Sequence, residues 1–101
     1  MIVRLTYCKF NPGSIEEVKT IYNGEVVPVA RAQKGNISIR IIEPIDKSDD
    51  FISISEWASH EDAEAYETSG VYKNLVGKLA DFLAKPPVLK VYTSEEVLEA
   101  H

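Results

Sequence analysis

Two nearby stretches of alternating residues constrain this chain more than any other feature. Asn36 to Glu43 sets Ile37, Ile39 and Ile41 against Ser38 and Arg40, and Phe51 to Trp57 sets Ile52 and Ile54 against Ser53 and Ser55. A side-chain period of two is what a strand with unlike faces requires. The intervening Pro44 to Asp50 carries a proline and four charges, which reads as a solvated loop, so the two stretches form an antiparallel hairpin.

A hairpin is not a domain by itself, and the flanking sequence supplies the rest. Residues 2 to 10 are rich in β-branched and aromatic types and stop at Asn11-Pro12-Gly13, a strand ending in a turn. Ser14 and Glu17 have capping-box spacing, so a helix starts there. Ile15, Val18, Ile21, Tyr22, Val26 and Val29 make its buried stripe, with Glu16, Lys19 and Glu25 turned to water. Pro28 has no amide and crowds the carbonyl of Gly24, so a kink or break is expected. Gly35 ends the helical region. Ser59 caps a second helix whose first turn, His60-Glu61-Asp62, places two acids at the positive end of its dipole. Ser69-Gly70 nicks that helix. Beyond the nick, Val71, Tyr72, Leu75, Val76, Leu79, Phe82 and Leu83 share one side, until Pro86-Pro87 stops it. Val88 to Thr93 reads as a last strand.

The order strand, helix, strand, strand, helix, strand is that of an α+β, ferredoxin-like split βαβ fold: a four-stranded antiparallel sheet with helices on one face. The expected domain is 1–94, with 95–101 a short acidic tail. Neither sheet face is polar enough to be left wholly bare. A chain of 101 residues hides only about two-thirds of its unfolded surface, so a second copy laid on the uncovered face is the expected remedy.

Composition narrows the function. Eleven basic against sixteen acidic residues give a net charge of −5, which repels phosphate backbones and anionic lipid, so nucleic acid and membrane are not expected partners. The one cysteine, Cys8, cannot form an internal disulfide; an inert buried thiol and a reducing cytoplasm are the expectation. No signal peptide or spanning run is evident. His60 and His101 beside that cysteine offer no metal-ligand spacing, and the five glycines form no phosphate-binding loop, so neither metal nor nucleotide cofactor is expected.

Three segments in order carry a resemblance: Asn11-Pro12-Gly13 leading into the first helix, Gly35-Asn36-Ile37-Ser38-Ile39-Arg40 opening the second strand, and Ser55-Glu56-Trp57-Ala58-Ser59 leading into the second helix. With Tyr72 and the ending Lys85-Pro86-Pro87-Val88, the chain resembles the antibiotic biosynthesis monooxygenase family over most of residues 1 to 93. The resemblance implies a dimeric α/β barrel: a homodimer whose sheets meet, with a pocket in each subunit between sheet and helices. Its characterised members oxidise polycyclic phenols or quinols with dioxygen and no metal or flavin, degrade haem, or act on small signalling molecules. This chain departs from the pattern. Many members carry a His nine residues after the strand-three Trp, where Tyr66 stands. A gap-free comparison puts Thr6, Tyr66 and Val76 where the haem-degrading branch has Asn, Trp and His, which leaves iron without its His ligand.

The resemblance and the residues together suggest a small-molecule site of Thr6, Arg40, Trp57, Tyr66 and Tyr72. Trp57, Tyr66 and Tyr72 are suited to stacking on a flat ligand, or to plain core packing. Tyr66 is the best catalytic candidate, because the resemblance implies that its position is functional in relatives and its phenol can donate a hydrogen bond. An arginine fork at Arg40 or Arg4 suits a phenolate, enolate or carboxylate oxygen; alternatively both pair with Glu43 or Glu56 or reach to solvent. His60 invites a general-base reading, but its place in a first helical turn suits a solvated residue better. Two functions are compatible with these residues: a cofactor-independent monooxygenase acting on a small aromatic or quinol-type compound, or a non-catalytic dimeric barrel that binds a small molecule or serves as a scaffold.

Overall fold

The computed structural model describes residues 1–95; the rest of the expected tail, 96–101, lies outside the described residues. Strands β1 (Ile2–Cys8), β2 (Asn36–Ile42), β3 (Phe51–Trp57) and β4 (Val88–Thr93) form one antiparallel sheet in the order β2-β3-β1-β4. The helices are α1 (Ile15–Ile21), α2 (Val27–Arg31), α3 (His60–Thr68) and α4 (Val71–Leu79). The ferredoxin-like arrangement is therefore present. Among the described residues no helix is long and apolar enough to cross a membrane.

The expected first-helix kink takes a specific form. Tyr22–Val26 winds as a π-helical turn between α1 and α2, with the Val27 amide bonded five residues back to the Tyr22 carbonyl. Pro28 comes immediately after, so the wider turn lies where the missing amide would interrupt an α-helical ladder. The turn also consumes an extra residue and rotates α2 relative to α1. The buried stripe becomes Val18, Tyr22, Val26 and Ala30, leaving Val29 40% exposed rather than buried as the simple spacing suggested. The Ser14 capping box does not form. A 3₁₀ turn, Pro12–Ser14, precedes α1, and the Ser14 hydroxyl donates instead to the Asn11 carbonyl at 2.7 Å.

The second helical region obeys its sequence closely. The Ser59 hydroxyl accepts from the Asp62 amide at 3.1 Å, and Gly70, at φ 88°, separates α3 from α4. Gly35 also has positive φ, and a Cβ there would collide with the Asp62 side chain, so no larger residue fits where β2 begins beside α3. The first strand proper ends at Cys8. Lys9 to Asn11 instead bond the segment after α4: the Ala84 amide donates to the Lys9 carbonyl at 2.7 Å and the Asn11 amide to the Phe82 carbonyl at 2.8 Å.

The two isoleucine sets face opposite ways. In β2, Ile39 and Ile41 point to the helices, opposite Ser55 and Ser53 of β3; Arg40 and Ile42 point away, opposite Ile54 and Ile52. The two serines belong on the helix side because large aromatics cover them. The Trp57 indole N–H donates to Ser55 Oγ at 2.9 Å, and the Tyr22 hydroxyl and Ser53 Oγ are 2.7 Å apart. A small side chain leaves room for a ring, and the ring's polar atom satisfies the hydroxyl. A register irregularity between Asn36 and Ser38 bulges β2 at Ile37, which is 44% exposed.

Candidate functional site

Between sheet and helices lies an apolar cleft of about 40 Å³, room for a few waters as the structure stands. Thr6 and Cys8 of β1 and Ser53 of β3 form its floor, Tyr22 one wall, and Tyr66 of α3 with Tyr72 of α4 the other. The tyrosines are not equivalent. Tyr22 is tied to Ser53, and the Tyr72 hydroxyl lies 3.0 Å from Thr6 Oγ1. Tyr66 is 4% exposed, yet its hydroxyl has no hydrogen-bonding partner among the described residues.

Trp57 holds that ring in place. It is fully buried and stacks on Tyr66, with centroids 4.5 Å apart and planes 28° from parallel. Tyr72 meets Tyr66 edge-on at 5.7 Å. Behind these rings lies Arg4, 4% exposed, its guanidinium carbon 4.6 Å from the Tyr72 centroid and 5.5 Å from that of Tyr66. Its Nη2 donates to Glu67 Oε1 at 3.1 Å, while Nε is buried without a partner among the described residues.

Thr6, Tyr66 and Tyr72 thus meet at the cleft, and Trp57 stands one layer behind. Arg40 does not join them. It is exposed on the opposite face of the sheet, because its neighbours Ile39 and Ile41 take the helix side. Arg4, the alternative arginine fork, pairs with Glu67, not with Glu43 or Glu56, and both belong to the site's surroundings, Glu67 having no signal in the sequence. Parity holds the signal for Arg4: two residues before Thr6, it must share Thr6's face. His60 is solvated beside Glu64, and among the described residues no group of three or more His, Cys, Asp or Glu gathers as metal ligands do.

Burial keeps the cleft's weak acids protonated. It pushes the Cys8 thiol up to about 11, with Asp50 adding to the effect, and Tyr22 up to about 12. The Tyr66 and Tyr72 phenols are raised as well, chiefly by burial, with the charge of Arg4 acting the other way. At neutral pH the cleft therefore presents hydroxyl and thiol hydrogens and holds no base.

Residues 1–78 match the model of the antibiotic biosynthesis monooxygenase family. The chain belongs to this family. Solved structures with the family's fold extend over nearly the whole chain. A Nitrosomonas europaea protein bearing the family's name is 21% identical, with TM-score 0.76 over 93% of this chain and 98% of its own. One from Deinococcus radiodurans is 9% identical, with TM-score 0.81 over 100% and 99%. SnoaB, a cofactor-independent oxygenase from Streptomyces nogalater, is 11% identical, with TM-score 0.76 over 98% and 97%. At such identities the likeness is one of fold. No curated protein matches the chain.

Proposed function

We propose that this antibiotic biosynthesis monooxygenase family member is a cofactor-independent oxygenase acting on a small aromatic or quinol-type compound in the cleft, as a homodimer joined through the uncovered sheet face. The observation that carries the reading is the Tyr66 hydroxyl, which has no hydrogen-bonding partner among the described residues and projects from a largely buried aromatic wall, its hydrogen available to a ligand oxygen. A ligand ring entering beside Tyr72 and Leu83, both only partly buried, replaces the few waters and stacks on that wall.

The chemistry asked of the protein is modest. An anthrone-type CH₂, or the O–H of a quinol, loses a proton to give an anion whose charge is shared between an oxygen and a C–H carbon. That anion passes an electron to dioxygen, the two radicals join at carbon, and loss of water leaves a carbonyl. One oxygen atom stays, the other departs as water, and the substrate supplies all the electrons. Tyr66 stabilises the oxyanion by hydrogen bonding as it forms. Because the cleft holds no base, the proton goes to solvent, and the rate should climb with pH along the substrate's own ionisation.

Oxygen uptake on a panel of hydroquinones and anthrones tests this. Wild type is expected to consume dioxygen with at least one of them, and Tyr66→Phe to lower kcat by roughly a hundredfold with KM little changed. No uptake by wild type on any member of the panel, with ring binding still detectable, selects the non-catalytic barrel; the small volume of the cleft is what favours that second reading.

A further inference from the structure

We propose that Arg4 makes the cleft select the oxyanionic form of its aromatic ligand, acting through the rings of Tyr72 and Tyr66. This rests on the aromatic-ligand reading above and sharpens it, since a neutral quinol and its anion are different ligands.

Arg4 is an expensive residue to keep where it is. A guanidinium is always charged and carries five N–H donors, yet this one is only 4% exposed, holds one carboxylate by a single contact, and leaves Nε unpaired among the described residues. Burying a charge so poorly compensated is destabilising, and an apolar side chain of similar length would pack on the same rings at lower cost. Its counter-ion is incomplete as well: Glu67 is 48% exposed, so water screens it far more than it screens the arginine. What remains is positive potential directed at the two rings above it.

Those rings carry that potential to the cleft. Tyr72 and Tyr66 lie within cation–π reach of Arg4 on one side and line the cleft on the other. The titratable groups around the same rings are Cys8 on β1, Tyr22 of the π-helical turn and Glu67 on α3; His60 and Glu64 stand at the rim of the open groove that Arg4 floors. Cys8 and Tyr22 remain neutral at neutral pH. Among the described residues Arg4 is thus the cation seated on the two rings that line the cleft, and Glu67 the group that tempers it. Arg4 is a positioning residue, since it touches the tyrosines and not the ligand.

Two readouts test this. In protein labelled with 3-fluorotyrosine, fluorine NMR tracks each phenol's ionisation. Arg4→Met should move the Tyr72 midpoint upward by on the order of one pH unit, Arg4→Lys should restore most of it, and Glu67→Gln should move it down; an unchanged Tyr72 midpoint in both Arg4→Met and Glu67→Gln overturns the proposal. Glu67 is half-exposed, so Glu67→Gln decides the matter alone if Arg4→Met fails to fold. The second readout is 4-nitrophenol, whose anion is coloured and whose neutral form is not. Wild type should bind the anion about tenfold more tightly than the phenol, a preference lost in Arg4→Met and strengthened in Glu67→Gln. Equal preference in all three overturns the selection by Arg4 while leaving aromatic binding intact. Failure of wild type to bind either form, with the fluorotyrosine shifts present, overturns the aromatic-ligand reading and the selection with it.

Discussion

The two faces of this sheet are built from alternate residues of the same strands, yet they solve different problems. On the helix side, Ile2, Arg4, Thr6 and Cys8 of β1 are all buried, and the inward hydroxyls of Ser53 and Ser55 on β3 each have an aromatic partner. On the other side, Val3, Leu5 and Tyr7 are only partly covered, Ile52 and Ile54 likewise, and Ile42, Val88 and Tyr92 are 40%, 49% and 50% exposed. The helix side sets a few polar side chains within an apolar core, while a broad aliphatic surface is left outside beside Ser38, Arg40, Glu56 and Lys90, more than a lone domain would choose. The inner face places Thr6, Ser53 and Ser55 among apolar side chains around a cleft; the outer face keeps its aliphatic surface because, on the proposed reading, it meets its own copy.

The largest expected effect breaks the inner face. Trp57→Ala removes a fully buried ring, the support of Tyr66 and the donor to Ser55, and should cost about 3–5 kcal/mol in urea unfolding. A loss below about 1 kcal/mol would mean that the Trp57–Tyr66 stack is not what organises this side. On the outer face the matching change is Leu5→Glu, a charge placed between Ile54 and Lys90 of the adjoining strands. Sedimentation should then show a folded single copy where wild type sediments as two, with dissociation strengthened by roughly a hundredfold or more. Wild type sedimenting as one copy at micromolar concentration would remove the proposed reason for the apolar face.

How much of this contrast is legible in the sequence differs between the two layers. Strand order, the Ser59 cap, the Gly70 nick and the proline-linked distortion all arise from local chemistry, which neighbouring residues supply by themselves. Which face of each strand turns inward does not. Alternation in β2 and β3 looks the same, Ile against Ser, but Ile39 goes in while Ile54 goes out, because the deciding partners, Tyr22 and Trp57, act across the sheet–helix interface. Turning every Ile inward is right for β2, where it leaves Arg40 outside, and wrong for β3; Arg40 enters the suggested site only if the polar side of β2 is turned to the helices, as the resemblance suggests. The gathering of Thr6, Tyr66 and Tyr72 at one cleft is legible by resemblance and the inward turn of Arg4 by its parity with Thr6, but the Arg4–Glu67 contact joins residues 63 apart, which no local pattern contains.

Buried acids on the inner face give a third test, of smaller effect at any moderate pH. Cys8 is raised from 9.0 to about 11 and Tyr22 from 10.0 to about 12. For an acid whose folded value is raised, the unfolded chain releases its proton first, so stability is untouched at neutral pH and falls as pH climbs from the unfolded value through the folded one. Each group should remove about 2–3 kcal/mol once its window is crossed, beginning with Cys8 at its unfolded value of 9.0. Urea midpoints measured across that alkaline window should decline, and Cys8→Ala should flatten the first part of the decline. A decline of equal slope in Cys8→Ala would assign the alkaline loss to some other group.

The smallest expected effect lies at the rim, where the helix layer and the sheet are joined by charge. Lys19 of α1 is 2.6 Å from Glu43, just beyond β2. The hydrogen bond between them lowers the Glu43 carboxyl and raises the Lys19 ammonium, burial opposing in both cases. A lowered carboxyl contributes stability above its unfolded value, and that contribution disappears as pH falls through the folded one. Glu43→Gln should therefore melt slightly below wild type at neutral pH, match it in acid below the carboxylate range, and lose its deficit in high salt, since the pair is solvated. Thermal melts at the two pH values, each with and without added salt, measure all three. A deficit that persists in acid and in salt would make the contact one of packing, and the two layers would then be held together by apolar burial even at their edge.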